Sequence, residues 1–128
     1  MRDLKTENVM IGANGHARLT DFGVSEGSVP LSNSGIHSSK TKGTPEYMAP
    51  EMYDIDEKSG EATYGFSVDF WALGLVIYEM LSGGRHPFKK GPNMLVEARN
   101  AILHENIVMP KHFSPEAADL VSKLLDKN

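Results

Sequence analysis

The segment Ser67 to Ser82 constrains the fold more than any other part of the chain. Val68, Phe70, Trp71, Ala72, Leu73, Leu75, Val76, Ile77, Tyr78, Met80 and Leu81 leave it almost no polar face. Its length predicts a helix over 67–82 rather than a strand, and its uniform apolarity predicts burial on all sides. Ser67 is expected to cap the N-terminus, and Gly83-Gly84 to end the helix. Such a helix is central by necessity, because each of its faces needs something to pack against. It does not read as a membrane span: Phe70 to Ile77, the longest nearly apolar run, is far too short to cross a bilayer.

The other segments read as smaller elements. Asn8 to Phe22 predicts a short hairpin, with Val9-Met10-Ile11 going out, Asn14-Gly15 as a two-residue turn and Ala17-Arg18-Leu19 returning. Ser25 to Lys42 is rich in Ser, Gly and Lys with no aromatic residue, and predicts a mobile loop. Met52 to Gly65 is acidic and polar and predicts a surface connection. Asn93 to Glu105 predicts an amphipathic helix. Ser114-Pro115-Glu116 opens a last helix, with Ala117, Leu120, Val121, Leu124 and Leu125 on one stripe.

Charge and cysteine content narrow the function classes. Lys plus Arg is 13 and Asp plus Glu is 17, a formal charge of −4, so neither nucleic acid nor an acidic membrane surface is an expected partner. The absence of cysteine excludes disulfides and thiolate chemistry. Charges at Arg2, Asp3, Lys5 and Glu7 do not suit a secretory signal, so an intracellular, cytoplasmic protein is expected. His16, His37, His86, His104 and His112 lack metal-ligand spacing and read as surface or packing residues.

The chemistry-bearing residues are Asp3, Lys5, Asn8 and Asp21. The hairpin folds the chain back, so Asp21 returns to the level of Asn8. Asp and Asn oxygens are hard ligands of the kind Mg²⁺ takes. A second carboxylate nearby could accept a proton from an alcohol, and a Lys could neutralise charge on a transferring phosphoryl group. A solvated loop holds the same residue types, and composition alone does not separate the two readings.

Order and spacing do. Arg2-Asp3-Leu4-Lys5-x-x-Asn8, then Asp21-Phe22-Gly23, then Ala49-Pro50-Glu51, with Asp69-x-Trp71-x-x-Gly74 in the apolar helix, resemble the protein kinase signature set. Gly15-His16-x-x-Leu19-Thr20-Asp21-Phe22-Gly23 and Gly43-Thr44-Pro45-Glu46-Tyr47-Met48-Ala49-Pro50-Glu51 resemble the basophilic Ser/Thr kinases related to the cyclic-nucleotide-dependent group. The implied fold is α+β, mainly α: an incomplete kinase-like C-terminal lobe with a small hairpin before Asp21. The implied domain is 1–128, holding the catalytic loop, an activation segment over 21–51, the central helix and later helices.

The resemblance implies roles by position. Asp3, Lys5 and Thr44 would be catalytic: Asp3 orients and deprotonates the acceptor hydroxyl, Lys5 meets the γ-phosphate, and Thr44 bonds near both. Lys5, Glu7, Asn8 and Asp21 would form the cofactor site for ATP and Mg²⁺, with Asn8 and Asp21 on the metal. Phe22 would pack beneath the site, and Asp69 would tie the catalytic loop to the helix. Arg2 would pair with a phosphate on Ser39 or Thr41. Glu7, Glu46 and Glu79 would bind basic residues of protein substrates.

Departures from the family pattern qualify this reading. There is no Gly-rich phosphate loop and no strand Lys, and Met1 stands where the family has His or Tyr. The nucleotide-covering lobe and the extreme C-terminal end are expected to be absent. The chain by itself is therefore expected to be marginally packed, with an exposed apolar helix face, and to transfer phosphate negligibly. The alternatives are a non-catalytic, pseudokinase-like binding module or an incomplete gene model.

Overall fold

A computed structural model describes residues 1–25, 36–38, 43–60, 62–88 and 94–127. Three helices and two small antiparallel sheets make up the described chain: strands β1 (Val9–Ile11), β2 (Ala17–Leu19), β3 (Ile36–Ser38) and β4 (Ala62–Tyr64), and helices α1 (Ser67–Leu81), α2 (Met94–His104) and α3 (Pro115–Leu124). Short 3-10 turns lie at Thr6–Asn8, Pro45–Tyr47 and Pro50–Tyr53.

β1 and β2 form the expected hairpin, with Val9 opposite Leu19 and Ile11 opposite Ala17. Its tip differs from the expected two-residue turn. A type I′ turn needs positive φ at both central residues, and here Gly15 has it (φ 79) while Asn14 does not. Instead Gly15 N–H donates to the Gly12 carbonyl and Gly12 N–H to the His16 carbonyl, which leaves a three-residue loop over 13–15. β3 and β4 were not anticipated. β3 lies in the serine-rich segment read as a loop, and β4 in the segment read as a surface connection. That connection also buries Met52, Ala62 and Tyr64.

α1 ends one residue before the expected boundary. The Gly84 N–H donates to the Glu79 carbonyl and Gly83 has φ 72, a glycine stop. Ser67 is not the cap: it is the first helical residue, and its hydroxyl donates to Glu51 Oε1 at 3.0 Å. Burial on all sides also fails. Val68, Trp71, Ala72, Leu75 and Val76 are buried, but Phe66, Phe70, Leu73 and Met80 form an exposed stripe at helical spacing. The core packs on the other face. Phe88, Met52, Leu75, Ile102 and Val121 are its largest fully buried side chains, and the Trp71 and Phe88 rings stack with centroids 6.1 Å apart. α3 starts as expected, with the Ser114 hydroxyl accepting from Ala117 N–H. Of its stripe, Val121 and Leu125 are buried while Leu120 is about half exposed. At Gly74 an added Cβ would lie 2.8 Å from Leu125 side-chain carbons, so α1 and α3 meet through a glycine. No described helix is long and apolar enough to cross a membrane.

Candidate active site

The N-terminal loop is anchored from three directions. Leu4 is buried in the core, Asp69 at the start of α1 accepts the Arg2 N–H at 2.8 Å, and the Asn8 Nδ2 donates to the Asp3 carbonyl at 2.9 Å. The Met1 amino group also reaches Asp69, at 2.6 Å. Arg2 itself sits at φ 73, an uncommon conformation for a residue with a Cβ. The strain is sustained because the surroundings over-determine it.

These anchors present Asp3 and Lys5 to Thr44, which arrives from a segment far along the chain. Asp3 Oδ1 accepts both the Thr44 N–H at 2.8 Å and the Thr44 hydroxyl at 2.7 Å. Lys5 Nζ donates to Thr44 Oγ1 at 2.9 Å and lies 3.2 Å from Asp3 Oδ2. Gly43 makes the approach possible: a Cβ there would stand 2.6 Å from the Arg2 carbonyl oxygen, and its φ of 123 suits glycine. Partial burial alone would push the Asp3 carboxyl up. The Thr44 hydroxyl, the Lys5 ammonium and the Thr44 N–H together outweigh it and hold the carboxyl below the usual aspartate value.

Asn8 is buried, and its side-chain oxygen accepts no hydrogen bond from the described residues. Thr20 N–H donates to the Asn8 carbonyl at 2.9 Å, which brings Asp21 to within one residue of a direct contact with Asn8. Asp21 is exposed, takes a left-handed conformation (φ 57) and accepts the Gly23 N–H on Oδ1. The pair supplies hard oxygen donors, an amide and a carboxylate, which suits Mg²⁺ that keeps water and phosphate ligands. No group of three or more His, Cys, Asp or Glu able to hold a metal gathers among the described residues. Phe22 departs from expectation: it is 58% exposed and does not pack beneath the site.

The acidic residues divide. Glu79 is buried and accepts the Tyr47 hydroxyl on Oε2, while its Oε1 accepts nothing from the described residues. Tyr47 hydroxyl also contacts Thr6 Oγ1 at 3.3 Å, next to Glu7, and Glu46 directly precedes Tyr47 in the chain. Burial, then Glu79 and Glu7, push the Tyr47 phenol well above its ordinary range. Tyr47 thus joins Glu79 and Glu7, whereas Glu46 acts on the Tyr53 phenol, and sequence reading did not single Tyr47 out. Its only signal was its place in the Gly43–Glu51 block. Arg2 Nε donates to the Val24 carbonyl at 2.9 Å and its guanidinium approaches the Tyr64 hydroxyl. Ser39 and Thr41 lie outside the described residues. A cavity of about 650 Å³ between α1 and α3 is lined by Glu51, Trp71, Lys123 and Lys127 among others, and by none of the candidate residues.

The protein kinase domain model matches residues 1–128. The chain is 39% identical over 131 residues to the RAC-beta serine/threonine-protein kinases of Rattus norvegicus and Homo sapiens, covering 99% of this chain and 24% of each relative. It is 37% identical over 128 residues to protein kinase C epsilon type of Rattus norvegicus, covering 99% of this chain and 16% of that protein. The chain therefore spans a quarter or less of the length of these relatives. It belongs to the protein kinase domain family, and its relatives are serine/threonine protein kinases.

Proposed function

We propose that this chain carries the catalytic loop of a protein serine/threonine kinase, which transfers the ATP γ-phosphate to Ser or Thr of protein substrates. The observation that carries the reading is the Asp3–Thr44–Lys5 network. It fixes a carboxylate and an ammonium side by side before substrate arrives, and phosphoryl transfer depends mainly on positioning and charge. Asp3, held below the usual aspartate range, stays ionised at neutral pH and accepts the hydrogen bond of the acceptor hydroxyl. It acts first as an orienting group and takes the proton as the bond to phosphorus forms. Lys5 neutralises charge on the phosphoryl group in transit. Mg²⁺, when bound, neutralises the phosphate oxygens, and Asn8 and Asp21 would hold it. Thr44 holds Asp3 and Lys5 together and favours alcohol acceptors.

Substrates with basic residues suit Glu7 and Glu79, which both act on Tyr47, together with Glu46 beside it in the chain. Arg2, bonded to the Val24 carbonyl, is the proposed donor to a regulatory phosphate on Ser39 or Thr41. A second reading, a non-catalytic binding module, draws on the exposed Phe66, Phe70, Leu73 and Met80 stripe.

The test is phosphate transfer to serine peptides by the protein in the longest form its cells make. Asp3→Asn is expected to lower transfer by about 10²–10⁴-fold. The 128-residue chain alone is expected to transfer negligibly. Undiminished transfer by the Asp3→Asn protein would overturn the assignment.

A further inference from the structure

Thr44 lies between Gly43 and Pro45, and both neighbours line a second cleft, of about 400 Å³. Met48, Tyr53, Ile55 and Val96 give that cleft apolar walls. Arg99, on the exposed side of α2, is the one charged residue among the described residues that line it. Its guanidinium carbon stands 5.7 Å from the centre of the Tyr53 ring, a cation–π contact. The Tyr53 hydroxyl donates to the Pro45 carbonyl at 2.7 Å. Burial pushes this phenol up to about 12, so it remains a neutral donor. A continuous path of contacts thus runs from Arg99 through Tyr53 and Pro45 to Thr44 and Asp3. These contacts hold the guanidinium in place relative to Pro45, the neighbour of Thr44.

Arg99 forms no ion pair with a carboxylate of the described residues. Glu46 is near enough to act on the Tyr53 phenol, yet it makes no bridge to Arg99. A planar guanidinium with no carboxylate partner among the described residues, at the edge of an apolar cleft, is suited to a carboxylate carried beside an apolar side chain. We infer that Arg99 is a specificity-determining residue that selects substrates bearing Asp or Glu next to an apolar residue, on the flank that crosses Pro45 and Met48. The inference rests on the kinase reading and refines it. The preferred substrate is of two signs: basic where it meets the acids around Tyr47, acidic where it meets Arg99.

The test uses fluorescein-labelled serine peptides in which a Leu-Glu pair, or a Leu-Lys pair, is walked along either side of the acceptor. Binding to the intact protein is read by fluorescence anisotropy, and phosphate transfer is measured on the same peptides. At one flank the Glu peptide is expected to bind about fivefold tighter than its Lys counterpart, the size of an exposed charge pair. Arg99→Ala should erase the preference and Arg99→Glu should invert it. Arg99 is exposed, so both variants are expected to keep the parent circular dichroism; Arg99→Lys, which retains the charge, should keep part of the preference. Equal binding of the Glu and Lys peptides, no binding of either, or a preference that survives Arg99→Ala overturns the inference. Phosphate transfer without acid preference defeats the Arg99 inference alone. An Arg99-dependent preference with no transfer in any form of the protein defeats the kinase reading and leaves Arg99 as a peptide selector.

Discussion

Replacing Thr44 with valine removes one hydroxyl and keeps the side chain's branched shape. That hydroxyl donates to Asp3 Oδ1 at 2.7 Å and accepts from Lys5 Nζ at 2.9 Å. The backbone N–H of residue 44 still reaches Asp3, and Lys5 still lies 3.2 Å from Asp3 Oδ2, so the carboxylate keeps two of its partners. Hydrogen bonds to charged groups contribute about 1.5–3 kcal/mol. The Asp3 and Lys5 side chains are 13% and 23% exposed. Partial solvation and the surviving partners place the expected loss at about 1–2 kcal/mol.

The same substitution has a signed effect on titration. Burial pushes the Asp3 carboxyl up, and the Thr44 hydroxyl is the largest of the effects opposing it. Without the hydroxyl, the carboxyl rises from its depressed position toward or past the ordinary 3.8. A depressed carboxyl stabilises the fold fully above its unfolded value, and that contribution is lost as pH falls through its folded value. The stability gap between parent and Thr44→Val is therefore full above the variant's folded value and narrows as pH falls from there through the parent's lower one. Urea unfolding at about pH 7 and about pH 3, with an NMR titration of the Asp3 carboxyl carbon, measures both effects. Thr44→Ser, which restores the hydroxyl, should recover the parent behaviour. An Asp3 carboxyl that stays put or moves down, or a gap that widens in acid, would refute the reasoning.

Two further outcomes follow from packing. Gly74→Ala drives a Cβ to 2.8 Å from Leu125, forces α3 outward and should cost about 1–3 kcal/mol in a urea melt; an unchanged midpoint would show that α1 and α3 are not in the contact described. Phe70 and Met80 are 60% and 68% exposed, so the parent chain should bind the apolar dye ANS and self-associate, and Phe70→Lys with Met80→Lys should reduce both, read by fluorescence and sedimentation. A parent chain that is a monodisperse monomer with a sharp melt would contradict this.

Much of the fold was legible because its signals are local. The hairpin strands, the extent of α1, its glycine stop and the Ser114 cap each depend on a few adjacent residues. The errors share one cause: the deciding partner lies elsewhere in the chain. Uniform apolarity in Ser67 to Leu81 identified the helix but could not say which face would be covered. Ser67 resembles a cap until Glu51 claims its hydroxyl. β4 exists because β3 pairs with it, across a segment with no strand periodicity. At the site, the resemblance to the kinase signature set named Asp3, Lys5 and Thr44, and they meet. Tyr47 and Arg99 were missed because neither follows a periodic pattern. One sits in a three-residue turn, the other on the solvated side of a helix.

The site's geometry depends on a helix that supplies none of the Asp3, Lys5 and Thr44 groups. Asp69, in the first turn of α1, grips the N–H of Arg2, and the carbonyl of Arg2 stands where only a glycine can face it. That glycine is Gly43, and the next residue is Thr44, which closes on Asp3. Asp69, Arg2 and Gly43 thus fix two segments about forty residues apart before any substrate contact is made. Arg2 holds a strained φ of 73, so this junction stores energy that the Asp69 bond and the buried Leu4 must offset. Whatever loosens the packing of α1 therefore reaches Asp3 before it reaches the exposed hairpin. That helix has one face in the core and one in solvent, and the loop that carries Asp3 is tied to it through Asp69.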